Sequence, residues 1–225
     1  MSSPRLSRLG DYAWLVTFEP RVDAETSARV LDLAAWVAAQ RWAGVRDVVP
    51  ALTSVAVHLS PECAEAGEVQ RRLAEHLAQH TAARDAEGPV IEIAVSYGGP
   101  DGPDLAAVAD AVQLEPDEVV RRHCAVTYRV FMLGFLPGFP YLGPVDPSIQ
   151  VPRLAVPRTR VPAGSVGVAG QQTGIYPRES PGGWQIIGRT SEVLFDAART
   201  PPARLMPGDR VRLVPLAAPS PHEAA

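Results

Sequence analysis

The sequence predicts two domains, an α+β domain over residues 1–85 and a mainly β barrel over residues 86–216. Two observations lead to this prediction. The first half alternates strand-like stretches with two amphipathic helices in the order ββαββα. The second half holds a stretch, Gly134 to Thr190, with 10 of the chain's 18 glycines and 9 of its 23 prolines. Because proline fixes φ and glycine permits left-handed turns, this stretch favours short strands joined by rigid turns.

The first half is expected to form an antiparallel sheet with both helices on one face. Asp23 is placed to cap the first helix, and Pro50 is expected at a sheet edge or in a turn, because proline cannot donate to a central ladder. Residues 81–89 are small, charged and end in Gly-Pro, which is typical of a linker. The predicted strands are 5–9, 13–18, 45–51 and 53–59, and the predicted helices are 23–41 and 62–80.

The second half is expected to open with a strand and two helices before the barrel strands follow. The second of these helices begins at Glu115-Pro116 and ends at Arg121-Arg122-His123, so that acidic and basic ends suit the helix dipole. Residues 217–225 are expected to be a disordered tail. The predicted strands of this half are 90–97, 128–133, 165–169, 184–188, 192–196 and 210–214.

The composition narrows the class of protein. The net charge of −4 gives no basic footprint for nucleic acid, and no run of about 18 apolar residues exists to span a membrane. Cys63 and Cys124 lie far apart without metal-binding spacing, which fits a reduced, cytoplasmic protein. The chain has no lysine, so Schiff-base and P-loop chemistry are excluded, and anion recognition depends on arginine or backbone N–H groups.

Polar and aromatic side chains in the Gly/Pro-rich stretch are the candidates for small-molecule binding. Arg153 and Arg158 each follow a proline, which stiffens the backbone that carries the guanidinium and suits carboxylate or phosphate recognition; surface ion pairs are the alternative. Gln171, Gln172 and Thr173 are expected on a glycine-flanked turn that offers amides and a hydroxyl. Tyr176 and Trp184 are expected to line an apolar wall with a polar edge, or else to be ordinary core residues.

Three histidines are candidates for a chemical role. His123 ends a helix, where the dipole is expected to raise its pKa and to favour a charged form that acts as an acid or binds an anion; capping the helix is the alternative. His76 and His80 have i, i+4 spacing, but without a third ligand they indicate a solvated helix face, and no metal site is predicted.

Three long motifs resemble a known family. The stretches GFLPGFPYLG, VPAGSVGVAGQQTGIYP and SPGGWQIIGRT, with GDYAWLVTF and YGGPDGPDL elsewhere, are similar to those of the KipI / allophanate hydrolase subunit 1 family, and the likeness spans about residues 5–215. The resemblance implies that the barrel is cyclophilin-like. It also implies a part in ATP-dependent opening of 5-oxo-L-proline to L-glutamate, with ATP, expected with Mg²⁺, as a co-substrate of the complex and no cofactor bound tightly by this chain.

The same resemblance implies partners and alternatives. The partners are a KipA / allophanate hydrolase subunit 2 type protein and a LamB/YcsF-type protein, so the chain is expected to supply half of a site. One alternative is a regulatory protein that inhibits a sensor histidine kinase. Another is a carboxyltransferase component of a urea carboxylase or allophanate hydrolase system.

Overall fold

A computed structural model of the chain describes residues 3–63, 66–79 and 89–216. The chain divides into two compact units, with the division between residues 87 and 88. The predicted domain boundary at 85/86, residues 81–88 of the predicted linker and the predicted tail at 217–225 all lie outside the described residues, so these predictions stay open.

The N-terminal unit is a four-stranded antiparallel sheet with two helices. The strands lie in the order β1-β2-β4-β3, which leaves β3 and its Pro50 at an edge. Val55, Val57 and Leu59 alternate along β4 into one core, and both helices contribute to that core. The elements are β1 (Arg5–Arg8), β2 (Ala13–Thr17), α1 (Ala24–Gln40), β3 (Val45–Pro50), β4 (Ser54–Leu59) and α2 (Ala66–Gln79).

The start of α1 is capped as the sequence predicts. The Asp23 side chain accepts a hydrogen bond from the Thr26 N–H at 2.8 Å, as expected of an N-cap.

The solvated face predicted around His76 is wrong, because this side chain is buried and stacks on Trp36 with the ring centroids 3.7 Å apart. His80 lies outside the described residues.

The C-terminal unit is a closed barrel of seven strands in the order β10-β7-β6-β13-β5-β12-β9. The parallel pair β13–β5 is flanked by antiparallel neighbours, and β8 and β11 form a separate two-stranded ribbon. The elements are β5 (Val90–Tyr97), α3 (Leu105–Val112), α4 (Pro116–Ala125), β6 (Thr127–Leu133), β7 (Pro140–Gly143), β8 (Arg158–Val161), β9 (Ser165–Ala169), β10 (Gln172–Ile175), β11 (Ser180–Gly182), β12 (Gln185–Arg189) and β13 (Arg210–Pro215).

The barrel confirms the mainly β prediction for this half, while the narrower cyclophilin-like description stays a prediction. The strand predicted at 192–196 is wrong, since this segment contributes a single bridge, Phe195 to Ala203. Strands β7, β8, β10 and β11 carry no strand signal in the sequence, because they have only three or four residues each and most are interrupted by glycine or proline. Within the described residues, no helix combines the length and apolar character needed to cross a membrane.

Candidate functional site

Four aromatic side chains pack together on the barrel, and three glycines leave room for three of them. A Cβ at Gly167 would lie 3.0 Å from the Cβ of Trp184, and one at Gly174 would lie 2.9 Å from Cζ of Phe139. At Gly182 a Cβ would lie 2.9 Å from Cζ of Tyr176 and would overlap its hydroxyl. The glycine richness of this stretch therefore serves close packing of rings against backbone as well as turns.

The rings meet edge to face. Phe139 lies 5.1 Å from Tyr176 and 5.6 Å from Trp184 between ring centroids, at 84° and 85°, and Tyr141 lies 5.9 Å from Trp184. These separations are typical of favourable T-shaped pairs. The rings line a cleft of about 260 Å³, which we call the aromatic cleft; its lining residues are Phe135, Phe139, Tyr141, Arg153, Pro157, Tyr176, Pro181, Gly182, Gly183 and Trp184.

Arg153 supplies the charge of this cleft. Its guanidinium lies over the Trp184 ring, 5.7 Å from the centroid, and the side chain is exposed. The backbone on either side of it is anchored, since the Leu154 N–H donates to the Gly183 carbonyl at 2.8 Å and the Gln185 amide donates to the Pro152 carbonyl at 3.3 Å. The backbone that carries Arg153 is therefore tied to both neighbours of Trp184.

Burial and the charge of Arg153 act in opposite directions on the pKa values of two phenols of the cleft. Burial raises the pKa of Tyr176, and a hydrogen bond from the backbone N–H of Trp184 and the charge of Arg153 oppose the rise. Burial likewise raises the pKa of Tyr141 against the charge of Arg153. Both phenols stay protonated at neutral pH and present O–H groups, so they are hydrogen-bond donors rather than bases.

Arg158, predicted to bind substrate, is occupied within the fold. Its Nη2 donates to Oδ1 of Asp104 at 2.5 Å, and Oδ2 of the same carboxylate accepts from the Ile186 N–H at 2.6 Å. Asp104 stands before α3, yet within the described residues its carboxylate makes no capping bond to that helix. Arg158 keeps one buried nitrogen, Nη1, without a partner among the described residues. The pair ties the β8–β11 ribbon to β12.

The predicted turn with Gln171, Gln172 and Thr173 is only partly a turn. Gln172 begins strand β10, so alternation turns Thr173 into the barrel, where it is fully buried. Gln171 is exposed, and the amide nitrogen of Gln172 is buried without a partner among the described residues. None of the three is among the described residues that line the aromatic cleft.

His123 lies inside the barrel in a chain of hydrogen bonds. Thr173 donates to the Gly167 carbonyl at 2.9 Å, so it accepts from His123 Nε2, also at 2.9 Å. Nδ1 is then the acceptor for the Tyr97 hydroxyl at 2.8 Å, and the Cys124 thiol donates to Tyr97 at 3.4 Å. These partners assign the neutral Nε2–H tautomer.

The pKa expected for His123 is therefore wrong in direction. Complete burial lowers the pKa of the imidazole to about 3, which outweighs the helix end that was expected to raise it. The ring is uncharged at neutral pH and does not line the cleft. The geometry favours a structural role in holding β10, the strand that carries Gly174, to α4.

Sequence reasoning missed Phe135, Phe139, Tyr141 and Asp104. Phe135 is 60% exposed, adopts φ of +66° and meets the Phe139 ring at 5.5 Å, so an aromatic side chain in a left-handed conformation stands at the cleft. The GFLPGFPYLG motif contained the three aromatic residues, but nothing in it indicated which rings share a face.

The N-terminal unit also has a cleft, but its described lining offers fewer groups for binding a small ring. A larger cleft of about 470 Å³ in the N-terminal unit is lined by residues around Gly44 and Cys63 and has no aromatic residue among its described lining. Within the described residues, no group of three or more His, Cys, Asp or Glu side chains is arranged to hold a metal ion.

The chain is similar in sequence to a family model and to named bacterial proteins. Residues 4–205 match the family model described as carboxyltransferase domain, subdomain C and D. A protein of Escherichia coli O157:H7 that is named as the B subunit of 5-oxoprolinase is 43% identical over 219 residues, covering 96% of this chain and 97% of that one. The Bacillus subtilis protein of the same name is 40% identical over 220 residues, covering 93% and 92%.

Solved structures extend the comparison. The crystal structure of TTHA0988 superposes with a TM-score of 0.80 at 38% identity, covering 93% of this chain but 41% of that one, so this chain spans about two fifths of that longer protein. The Kluyveromyces lactis urea carboxylase superposes with a TM-score of 0.78 at 20% identity, covering 95% of this chain and 22% of that one, which is a likeness of fold.

Proposed function

The chain belongs to the carboxyltransferase C and D subdomain family and, within it, to the B subunits of 5-oxoprolinases, and we propose that it is the B-type subunit of an ATP-dependent 5-oxoprolinase. The observation that carries this proposal is the identity of 43% across nearly the full length of both chains with a protein of that name. The reaction would open the lactam of 5-oxo-L-proline with ATP and water to give L-glutamate.

We place the chain's share of the substrate site in the aromatic cleft. Its volume of about 260 Å³ lies just below the usual range of about 300–1,000 Å³ for ligand pockets, which suits a single small ring. A nucleoside triphosphate does not fit such a space, so ATP and its Mg²⁺ would bind elsewhere in the complex. Arg153, Tyr176 and Trp184 would contact substrate, whereas Arg158, Gln171, Gln172, Thr173 and His123 would act through the fold.

The chain would work within a complex. The lactam is a stable amide, and ATP would activate it by phosphorylating its oxygen. Water would add to the activated carbon, the ring C–N bond would break to give the open-chain acyl phosphate, and a second water would release inorganic phosphate and leave L-glutamate. The aromatic cleft offers a cation and two phenol donors but no strong nucleophile or general base among its described residues, which fits a subunit that contributes binding while others contribute chemistry. We propose as partners a KipA / allophanate hydrolase subunit 2 type protein and a LamB/YcsF-type protein.

The free thiols Cys63 and Cys124 are consistent with a reducing compartment, and we place the complex in the cytoplasm. The test of the proposed function is reconstitution with both partners. The complete complex is expected to form L-glutamate from 5-oxo-L-proline only when ATP is present, and the isolated chain is expected to form none. A complete complex that is inactive, or an isolated chain that is active, would contradict the proposal.

A further inference from the structure

The three arginines of the segment 153–160 differ in what they contact. Arg158 is bound to Asp104 at 2.5 Å, and Arg160 is paired with Glu179 at 2.6 Å. Arg153 has no carboxylate within ion-pair distance among the described residues, and its guanidinium contacts the Trp184 ring instead. It is thus a cation whose charge the described part of the protein does not neutralise.

The residues around Arg153 favour the binding of an anion at its guanidinium. The other described residues of the aromatic cleft are aromatic, proline or glycine, so none of them carries a carboxylate or a second cation. Apolar walls lower the local dielectric, and a charge–charge contact there is worth more than at an open surface. The charge of Arg153 already acts on the Tyr141 and Tyr176 phenols, which places it within electrostatic reach of the cleft interior.

We infer that Arg153 is the specificity-determining residue of this site and that it selects a small ring bearing one carboxylate. This inference rests on the proposed function and adds to it which part of the substrate this chain recognises. The guanidinium would take the carboxylate through two parallel N–H···O bonds, and the ring would lie against the Trp184 and Tyr141 side chains. The lactam end would then point away from Arg153, toward groups that the partner subunits supply.

The anchoring of Arg153 supports selection rather than loose attraction. Because Leu154 and Pro152 are hydrogen-bonded to residues 183 and 185, the guanidinium starts from a fixed backbone next to Trp184. An arginine on an anchored backbone loses less conformational entropy on binding than one on a mobile loop. A lactam without the carboxylate would not form this ion pair, so it would bind more weakly by the free energy that the pair contributes.

The test compares variants in the reconstituted complex with two substrates, 5-oxo-L-proline and 2-pyrrolidinone, which has the same lactam ring without the carboxylate. Loss of a hydrogen-bonded charge pair corresponds to a rise of about 10–100-fold in KM. We expect Arg153→Gln to raise the KM for 5-oxo-L-proline by that factor with little change in kcat, and to abolish the preference over 2-pyrrolidinone. Arg153→Lys, which keeps the charge without the planar fork, should give an intermediate KM.

Arg160→Gln is the matched control, because Arg160 is an exposed arginine of the same segment that is paired with Glu179 and is not among the described residues lining the cleft. Its KM should equal that of the unmodified chain. An unchanged KM in Arg153→Gln, whatever its kcat, overturns the assignment while the proposed function stands. A complex with the unmodified chain that makes no glutamate refutes the proposed function itself, so the two failures are distinguishable.

Discussion

Acid should lower the free energy of unfolding of the barrel because His123 is buried in its neutral form. The substitution His123→Gln should remove this pH dependence. The imidazole has a pKa of about 3 when buried, against an ordinary value of 6.5. Between these values the unfolded chain binds a proton that the folded barrel does not, so the free energy of unfolding falls as the pH drops from about 6.5 to about 3. The difference corresponds to about 5 kcal/mol over the whole window and about 3 kcal/mol between pH 7 and pH 4.

The measurement is urea unfolding of the chain at pH 4, 5, 6 and 7, followed by the fluorine NMR signal of 5-fluorotryptophan at Trp184. The other tryptophans, Trp14, Trp36 and Trp42, lie in the N-terminal unit and give separate signals. His123→Gln should be the less stable protein at pH 7, because hydrogen bonds to Thr173 and Tyr97 are weakened. Its disadvantage should shrink by about 3 kcal/mol at pH 4.

Tyr128→Phe serves as the comparison, because it removes the hydrogen bond from the tyrosine hydroxyl to the His123 carbonyl at 2.7 Å without removing the imidazole. Its destabilisation should be nearly the same at each pH. If the curves of the unmodified chain and of His123→Gln run parallel from pH 7 to pH 4, the imidazole is not held neutral by burial and the reasoning fails.

Two further substitutions test how the cleft is built. Gly182→Ala should destabilise the barrel by about 1–3 kcal/mol in urea unfolding, because the new Cβ would overlap the Tyr176 hydroxyl; equal stability to the unmodified chain would contradict the packing. Gly183→Ala, whose Cβ would meet Pro157 carbons at 3.5 Å, should change stability by less than about 0.5 kcal/mol and serves as its control. Asp104→Ala should cost about 1.5–3 kcal/mol through the lost bond to Arg158, and a smaller loss than Gly183→Ala would refute that role.

The parts of the fold that depend on local pattern were predictable from the sequence. Alternating apolar residues and a capping Asp23 defined the α+β unit, and β5 was predicted at its observed bounds, Val90–Tyr97. The closed barrel followed in outline from its glycine and proline content. Its shortest strands did not, because three or four residues with glycine between them carry no clear alternation.

The residues of the candidate site were only partly predictable from the sequence. Arg153, Tyr176 and Trp184 were predicted as binding residues and the structure brings them together at one cleft. Arg158 looked equivalent to Arg153 in sequence, but its carboxylate partner is 54 residues earlier in the chain. Such long-range pairings depend on the fold, and no local sequence pattern shows that Arg158 has a carboxylate partner while Arg153 has none among the described residues.

His123 illustrates why burial overrides local electrostatics. Its position at the end of α4 predicts a raised pKa, and that reasoning holds for an exposed histidine. Inside the barrel the cost of removing a charge from water is larger than the attraction of a helix end, so the pKa falls instead. Depth within a core depends on which strands close around the side chain, which the sequence does not state.

We propose above that the aromatic cleft of this chain binds 5-oxo-L-proline within the assembled enzyme. The most direct measurement is fluorine NMR of the reconstituted complex in which only this chain carries 5-fluorotryptophan. Addition of 5-oxo-L-proline should shift the Trp184 signal and leave those of Trp14, Trp36 and Trp42 in place, because Trp184 is the tryptophan that lines the cleft. A complex that makes glutamate while the Trp184 signal stays unmoved at saturating substrate would contradict the account.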